Sequence, residues 1–179
     1  MIRVMLVDDH ALVRMGFRML LADAQVEVVA EAGDSEQACQ EYPRARPDVV
    51  VMDLSMPGMG GLEAVRRLLA QDPKARVLAL SAHEDTAHPR RVLRAGALGY
   101  LAKRSAPEAL ITAVRAVAAG ERYVDPETAQ ALAVAQIAEN LKLSSSTVGT
   151  HLYHVKQKLR VGNQSELTLV ALRWGLIQT

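Results

Sequence analysis

The stretch that decides the fold is Val49-Val50-Val51-Met52-Asp53-Leu54-Ser55-Met56-Pro57-Gly58-Met59-Gly60-Gly61. Four apolar residues, three of them β-branched, end on a carboxylate and run into a loop of proline and glycines. A short apolar run without alternation fits a strand covered on both faces, the condition of a parallel sheet flanked by helices. After the loop, Leu62, Val65, Leu68 and Leu69 repeat at helical spacing.

Outward from this unit the same alternation recurs. Residues 2–7 form an apolar strand ended by Asp8-Asp9, and a helix follows over 11–22 with Leu12, Met15, Met19 and Ala22 as its expected core stripe. Residues 26–30 make a second strand. A helix capped by Asp34 or Ser35 reaches about Tyr42, and Pro43 and Pro47 are expected to close it. Residues 77–80 are a fourth strand, followed by a helix through Val92 and Leu93. Residues 99–102 are a fifth, followed by a helix beginning near Pro107 with the stripe Leu110, Ile111, Val114 and Val117. Five alternations predict an α/β domain over residues 1–120, with a doubly wound, five-stranded parallel sheet.

In such a sheet the ligand site lies beyond the carboxyl ends of the strands. There the sequence delivers Asp8, Asp9, Asp53, Ser81 and Lys103 to one edge. Clustered carboxylates repel unless a hard cation neutralises them, and Mg²⁺ accepts oxygen ligands of this kind. A carboxylate beside Mg²⁺ can attack phosphorus and form an aspartyl-phosphate. A lysine and a hydroxyl at the same rim can hold the phosphoryl oxygens.

Composition narrows the classes. Of 179 residues, 50% are apolar and 23% charged, which is globular rather than disordered. The single cysteine, Cys39, excludes an intrachain disulfide framework and reads as a packing residue. No apolar run is long enough to span a bilayer, and the N-terminus turns acidic too early for a signal peptide, so a cytoplasmic protein without membrane contact is expected. With one cysteine and no paired histidines, His10, His83 and His88 do not suggest a transition-metal site.

The net charge of +1 hides an asymmetry. Residues 1–122 carry 16 basic and 16 acidic side chains, whereas residues 142–160 carry four basic ones and no acidic one. This basic island fits either a nucleic-acid contact or a solvated helix face. Beyond residue 120 the pattern is helical throughout. Residues 121–133 read as a linker with a short helix over 128–132. Residues 134–141 form a compact helix, 146–159 a second, and about 164–174 a third, with Gly175 as its C-cap. On the middle helix Val148, Leu152, Val155 and Leu159 share one stripe. Ser146, Thr150, Tyr153, His154 and Gln157 lie opposite, flanked by Gly149 and Lys156 on one side and His151 and Lys158 on the other. A small, polar face with basic flanks suits a DNA major groove, and the preceding turn makes a helix-turn-helix.

Two sets of residues carry a family resemblance. Val-Asp-Asp-His at 7–10, the stretch quoted first, Leu-Ser-Ala at 80–82 and Gly-Tyr-Leu-Ala-Lys at 99–103 resemble a response-regulator receiver domain of flavodoxin-like fold. The resemblance implies that Asp53 is the phospho-acceptor. It also implies that Asp8, Asp9, Asp53 and the carbonyl of Ser55 bind Mg²⁺, and that Ser81 and Lys103 hold the phosphoryl group. Ser81 and Tyr100 would then be the switch pair. Arg104 stands where many receivers have proline. Gln136 to Leu152, with Val-Lys-Gln-Lys-Leu at 155–159, resembles the DNA-binding domain of LuxR/NarL/FixJ regulators, and residues 163–177 resemble that family's last helix. By this resemblance Ser146, Thr147, Gly149, Thr150, His151, Tyr153 and His154 face the groove, while Lys156 and Lys158 meet phosphates.

One departure stands out. The family's first DNA-binding-domain helix is missing before Val134, so residues 134–179 keep three helices of four. Either the helix has been lost, or the sequence joins two segments across an absent stretch between about Gln130 and Val134; the intact pattern after Val134 favours the join. The resemblance implies a non-enzymatic regulator phosphorylated by a sensor histidine kinase, binding double-stranded DNA and forming homodimers when phosphorylated. The alternative is a receiver with a degenerate C-terminal module that works through protein contacts. A phosphatase of the aspartyl-phosphate type needs a second Asp two positions after the nucleophile, where this chain has Ser55.

Overall fold

The strands β1 (Ile2–Val7), β2 (Val26–Ala32), β3 (Val49–Asp53), β4 (Val77–Ser81), β5 (Gly99–Ala102) and β6 (Tyr123–Val124) form one sheet in the order β2-β1-β3-β4-β5-β6. Every pairing is parallel. The computed structural model of the chain describes residues 1–82, 87–105 and 107–174. His83, Gly175 and Ile177 lie outside the described residues. The helices are α1 (Ala11–Asp23), α2 (Ser35–Ala45), α3 (Gly61–Gln71), α4 (Ala87–Arg94), α5 (Pro107–Ala118), α6 (Pro126–Leu141), α7 (Ser145–Leu159) and α8 (Gln164–Arg173). The chain divides into two compact units, Met1–Thr128 and Ala129–Thr179.

The first unit is the expected doubly wound sheet, of flavodoxin-like strand order. Side chains alternate along each strand, so two cores form. Met5, Val7, Val50, Met52 and Ala79 pack with Ala38, Ala64, Val65, Leu68 and Val92 from α2, α3 and α4. Val4, Leu6, Val49, Val51, Leu78 and Leu80 pack with Leu21, Leu110, Ala113, Val114 and Val117 from α1 and α5. Each fully buried aliphatic side chain contributes about 1.5–3 kcal/mol, and this sets which strand ends are held still.

Four expectations about this unit need correction. The sheet has six strands rather than five, because Tyr123 and Val124 pair with Gly99 and Tyr100. Residues 121–133, expected as a linker, hold β6 and the first half of α6. The stripe chosen for α1 is the wrong one. Leu12, Met15, Met19 and Ala22 are exposed, and Val13, Phe17, Leu20 and Leu21 face inward. That helix is apolar nearly all round, so periodicity alone offers two faces. Finally, α2 runs through Pro43 to Ala45 and ends on Arg46 in the left-handed region (φ 44°). A proline so near the end costs one helical bond, and Arg46 N–H closes the turn on the Tyr42 carbonyl.

The second unit is all-helical. A short helix and a separate compact helix were expected around residue 133; instead α6 runs unbroken from Pro126 to Leu141. Its sequence, rich in Ala, Leu, Gln and Glu, favours continuous helix. In these 179 residues α6 thus carries the chain straight through residues 130–134, and the family's first helix stands nowhere before Val134. Lys142 (φ 54°) turns the chain, and the Ser144 hydroxyl caps α7 by accepting from Thr147 N–H at 3.1 Å. Asn163 caps α8, its Oδ1 accepting from Glu166 N–H at 2.9 Å. Among the described residues, Ala138 and Val148 alone are buried apolar residues of this unit. Leu141, Leu169 and Trp174 are 61%, 62% and 60% exposed.

Candidate functional site

The carboxyl ends of β1 and β3 are neighbours, at the point where the strand order reverses. Asp8, just past β1, and Asp53, the last residue of β3, are both buried. The Lys103 ammonium, just past β5, lies 2.6 Å from Asp8 Oδ2 and 2.8 Å from Asp53 Oδ2. Lys103 is the one partner shown for this buried Asp53 oxygen. Its other oxygen, Oδ1, accepts from Ser55 N–H at 3.0 Å. Burial pulls the Lys103 pKa down, but hydrogen bonds and charge from Asp53 and Asp8 outweigh it, and the net direction is up. Lys103 is thus a committed cation.

Asp9 is half-exposed at the rim, and its Oδ1 meets His10 Nδ1 at 2.8 Å. His10 also lies 3.3 Å from Asp8 Oδ1, and its backbone N–H donates to that same oxygen at 2.8 Å. Ligand atoms of Asp8, Asp9, His10 and Asp53 all fall within 4.8 Å of one another. Three carboxylates that close, with one lysine between two of them, form a donor set for a hard divalent cation. His10 was expected only as a rim residue; its place follows from following Asp8-Asp9 directly.

Gly61 opens α3 directly against the backbone that carries Asp53. A Cβ there would overlap the Asp53 carbonyl oxygen and come within 2.6 Å of Leu54 Cα. The glycine lets the helix start where the strand ends. Ser81, the last residue of β4, is fully buried, and its carbonyl accepts from Lys103 N–H at 2.8 Å. Tyr100 is buried in the apolar cluster of the α2–α3–α4 face. Ser55 is exposed. Asp8, Asp9, Asp53, Ser81 and Lys103 thus share one sheet edge, as expected from the strand endings.

One residue was missed. Arg14 on α1 donates to the Asp8 carbonyl at 2.6 Å and to Glu31 Oε2 at 3.1 Å. Its partners come from the end of β1 and from β2, so no local pattern marks it.

In the second unit the outward face of α7 carries the expected residues. Ser146, Thr150, His151, Tyr153, His154 and Lys158 are exposed, while Thr147, Gly149 and Lys156 are half-buried. Thr147 belongs to the cap, its hydroxyl 2.8 Å from that of Ser144. The Thr150 hydroxyl donates back to the Ser146 carbonyl at 3.0 Å, leaving its lone pairs outward. A Cβ on Gly149 would meet nothing within 4 Å, so this helix face is open to close approach. The Tyr153 and His154 rings lie 5.8 Å apart.

Comparison with known proteins agrees with this geometry. Residues 4–115 match the response regulator receiver domain, and residues 121–171 match the bacterial regulatory proteins of the luxR family. The response regulator GacA of Pseudomonas viridiflava is 37% identical over 210 residues, covering 99% of this chain and 98% of that protein. The alignment is longer than the chain, so GacA carries residues that this chain lacks. Among solved structures, a LuxR-family two-component response regulator from Aurantimonas sp. SI85-9A1 is 43% identical with a TM-score of 0.73, covering 75% of this chain and 97% of its own. The response regulator RcsB, solved in complex with DNA, is 25% identical with a TM-score of 0.69, covering 91% of this chain and 94% of its own. Among the described residues no helix is long and apolar enough to cross a membrane.

Proposed function

We propose, from the premise that this chain belongs to the two-component response regulators joining a receiver domain to a LuxR-type DNA-binding domain, that Asp53 is its phospho-acceptor and α7 its recognition helix. The protein is a DNA-binding transcriptional response regulator.

Asp8, Asp9 and Asp53, with the Ser55 carbonyl, would hold Mg²⁺, which when bound neutralises charge on the incoming phosphoryl group. An Asp53 carboxylate oxygen attacks phosphorus of a phosphohistidine on a sensor kinase, or of a small acyl phosphate. The new bond is P–O; the bond to the donor breaks, and the donor keeps its electron pair. Lys103, paired with Asp53 beforehand, exchanges that carboxylate oxygen for a phosphoryl oxygen. The Ser81 hydroxyl at the neighbouring strand end donates to another. The product carries nearly two added negative charges. Ser81 and Tyr100 would transmit this change across the sheet, favouring homodimers whose α7 helices read paired half-sites. Lys156 and Lys158 would meet phosphates, and Ser146, Thr147, Gly149, Thr150, His151, Tyr153 and His154 would line the groove. As a DNA-bound regulator it would work in the cytoplasm.

The observation that carries this reading is Lys103 bridging two buried carboxylates at the reversal point of the sheet. The test is labelling with radioactive acetyl phosphate in Mg²⁺, run beside Asp53→Asn. Label on the wild type alone is expected; label surviving in Asp53→Asn refutes the assignment. The phosphorylated protein should bind duplex fragments with an affinity that falls steeply with salt. A flat salt response, or no duplex binding, would favour a module that works through protein contacts.

A further inference from the structure

Arg14 is half-buried on the first turn of α1 and paired with Glu31. Its Nη1 donates to the Asp8 carbonyl at 2.6 Å, and its Nε donates to Glu31 Oε2 at 3.1 Å. Glu31 is anchored on the other side too, with Oε1 3.2 Å from Arg18 Nη2. The Asp8 N–H donates to the Ala32 carbonyl at 3.2 Å. The backbone around Asp8 is therefore gripped at both its N–H and its C=O. The carbonyl grip fixes the plane of the Asp8–Asp9 peptide. That plane sets where the Asp9 side chain leaves the backbone, and the Asp9 carboxylate has His10 as its ion-pair partner.

We propose that Arg14 is a positioning residue of the cation site: its two-pronged bond to the Asp8 carbonyl and Glu31 holds the Asp8–Asp9 peptide so that both carboxylates converge on one ion. The inference rests on the reading that Asp8, Asp9 and Asp53 hold Mg²⁺. A planar guanidinium can make both bonds at once, whereas a lysine ammonium is a single point on a flexible stem. Groups that orient ligands without touching the metal commonly set affinity by 10–100-fold.

Charge and geometry oppose each other here, which makes the proposal testable. A fixed cation near the site repels Mg²⁺, so removing the charge alone tightens binding. Losing the fork frees the peptide and weakens binding. The experiment is calorimetric Mg²⁺ titration of the full chain, wild type beside Arg14→Lys, Arg14→Gln and Glu31→Gln, with far-UV circular dichroism and melting in EDTA as the check on folding. Both Arg14 variants are expected to weaken Mg²⁺ by roughly tenfold or more, with Glu31→Gln shifting it less but the same way. Labelling by acetyl phosphate should return to the wild-type rate at saturating Mg²⁺, with only the half-saturating Mg²⁺ raised. Wild-type affinity in Arg14→Lys, or tighter binding in Arg14→Gln, overturns the positioning role while leaving the Mg²⁺ site in place. Absence of saturable Mg²⁺ binding in the wild type overturns the site reading, and the proposal with it. Should the Arg14 variants melt before titration, Glu31→Asp decides alone, because it keeps the charge and draws the carboxylate back from Arg14: unchanged affinity refutes the fork.

Discussion

Lys103→Met removes the cation that holds the carboxylates of the acidic edge together. Its side chain is 19% exposed and bridges Asp8 and Asp53, which are 3% and 1% exposed. Removing one partner of a buried ion pair costs about 3–5 kcal/mol, because the remaining charge is stranded. The ammonium is itself 19% exposed and so only partly desolvated, so the lower end, about 3 kcal/mol, is expected. For a unit of this size that corresponds to a melting point lower by roughly 10 °C. A divalent cation can replace the ammonium. At a hundred times its dissociation constant it adds about 2.7 kcal/mol to whichever protein binds it, so the gap narrows by the difference between the two gains. Methionine also removes a competitor for the carboxylates, so Lys103→Met should bind Mg²⁺ more tightly than the wild type. The assay is calorimetric melting of both proteins in EDTA and in Mg²⁺. The expected pattern is a wide gap in EDTA that narrows in Mg²⁺. Equal melting points in EDTA, or a gap that Mg²⁺ leaves untouched, would refute the idea that Lys103 offsets carboxylate repulsion.

Three further outcomes are expected. Gly61→Ala forces a methyl group into the Asp53–Leu54 backbone; overpacking of this kind costs about 1–3 kcal/mol, and because the displaced atoms carry Asp53, phosphoryl labelling should fall along with the urea midpoint. Trp174 is the sole tryptophan and lies in the thin second unit, so its fluorescence should change at lower urea than the circular dichroism of the sheet; coincident transitions would contradict a weakly packed module. Burial, then the hydrogen bond to Asp72 and its negative charge, push Tyr42 from 10 up to about 12. The folded state therefore keeps the neutral phenol. The stabilisation is complete below pH 10, is lost as pH rises towards 12, and should be absent from the pH profile of Tyr42→Phe in urea titrations between pH 9 and 12.

What the sequence disclosed follows from how local each signal is. The strand endings were legible because a buried strand writes its length directly in β-branched residues, and the carboxylates at 8, 9 and 53 stop those runs. The edge that gathers them then follows from parallel topology. Helix faces were legible only where one side is polar. On α3 and α5 the core stripe is unambiguous, whereas α1 carries Leu12, Met15 and Met19 as well as Val13, Phe17 and Leu20, and burial decides between them. Strand β6 left no trace, since two residues make no period. Arg14 left none either: its bonds reach the Asp8 carbonyl and a β2 glutamate, partners known only once the sheet has formed. The absence of the family's first helix could be seen from the pattern around Val134, but not that α6 would run straight through.

Strand β6 carries a further consequence, for aggregation. Without it, β5 would be the sheet's border, with the carbonyls of Leu98 and Tyr100 open to any passing chain. Tyr123 N–H and Asp125 N–H occupy those two acceptors at 3.1 and 3.3 Å. Open borders of this kind template intermolecular pairing. Shortening the chain at Gly120, where the strand–helix alternation stops, would therefore leave a sticky edge beside the residue expected to switch. Extending it to Thr128 keeps the border sealed and retains the bond by which Asp125 Oδ1 accepts Thr128 N–H at 3.0 Å. The compact first unit thus runs eight residues past its repeating pattern, and the last three of them, 126–128, open α6.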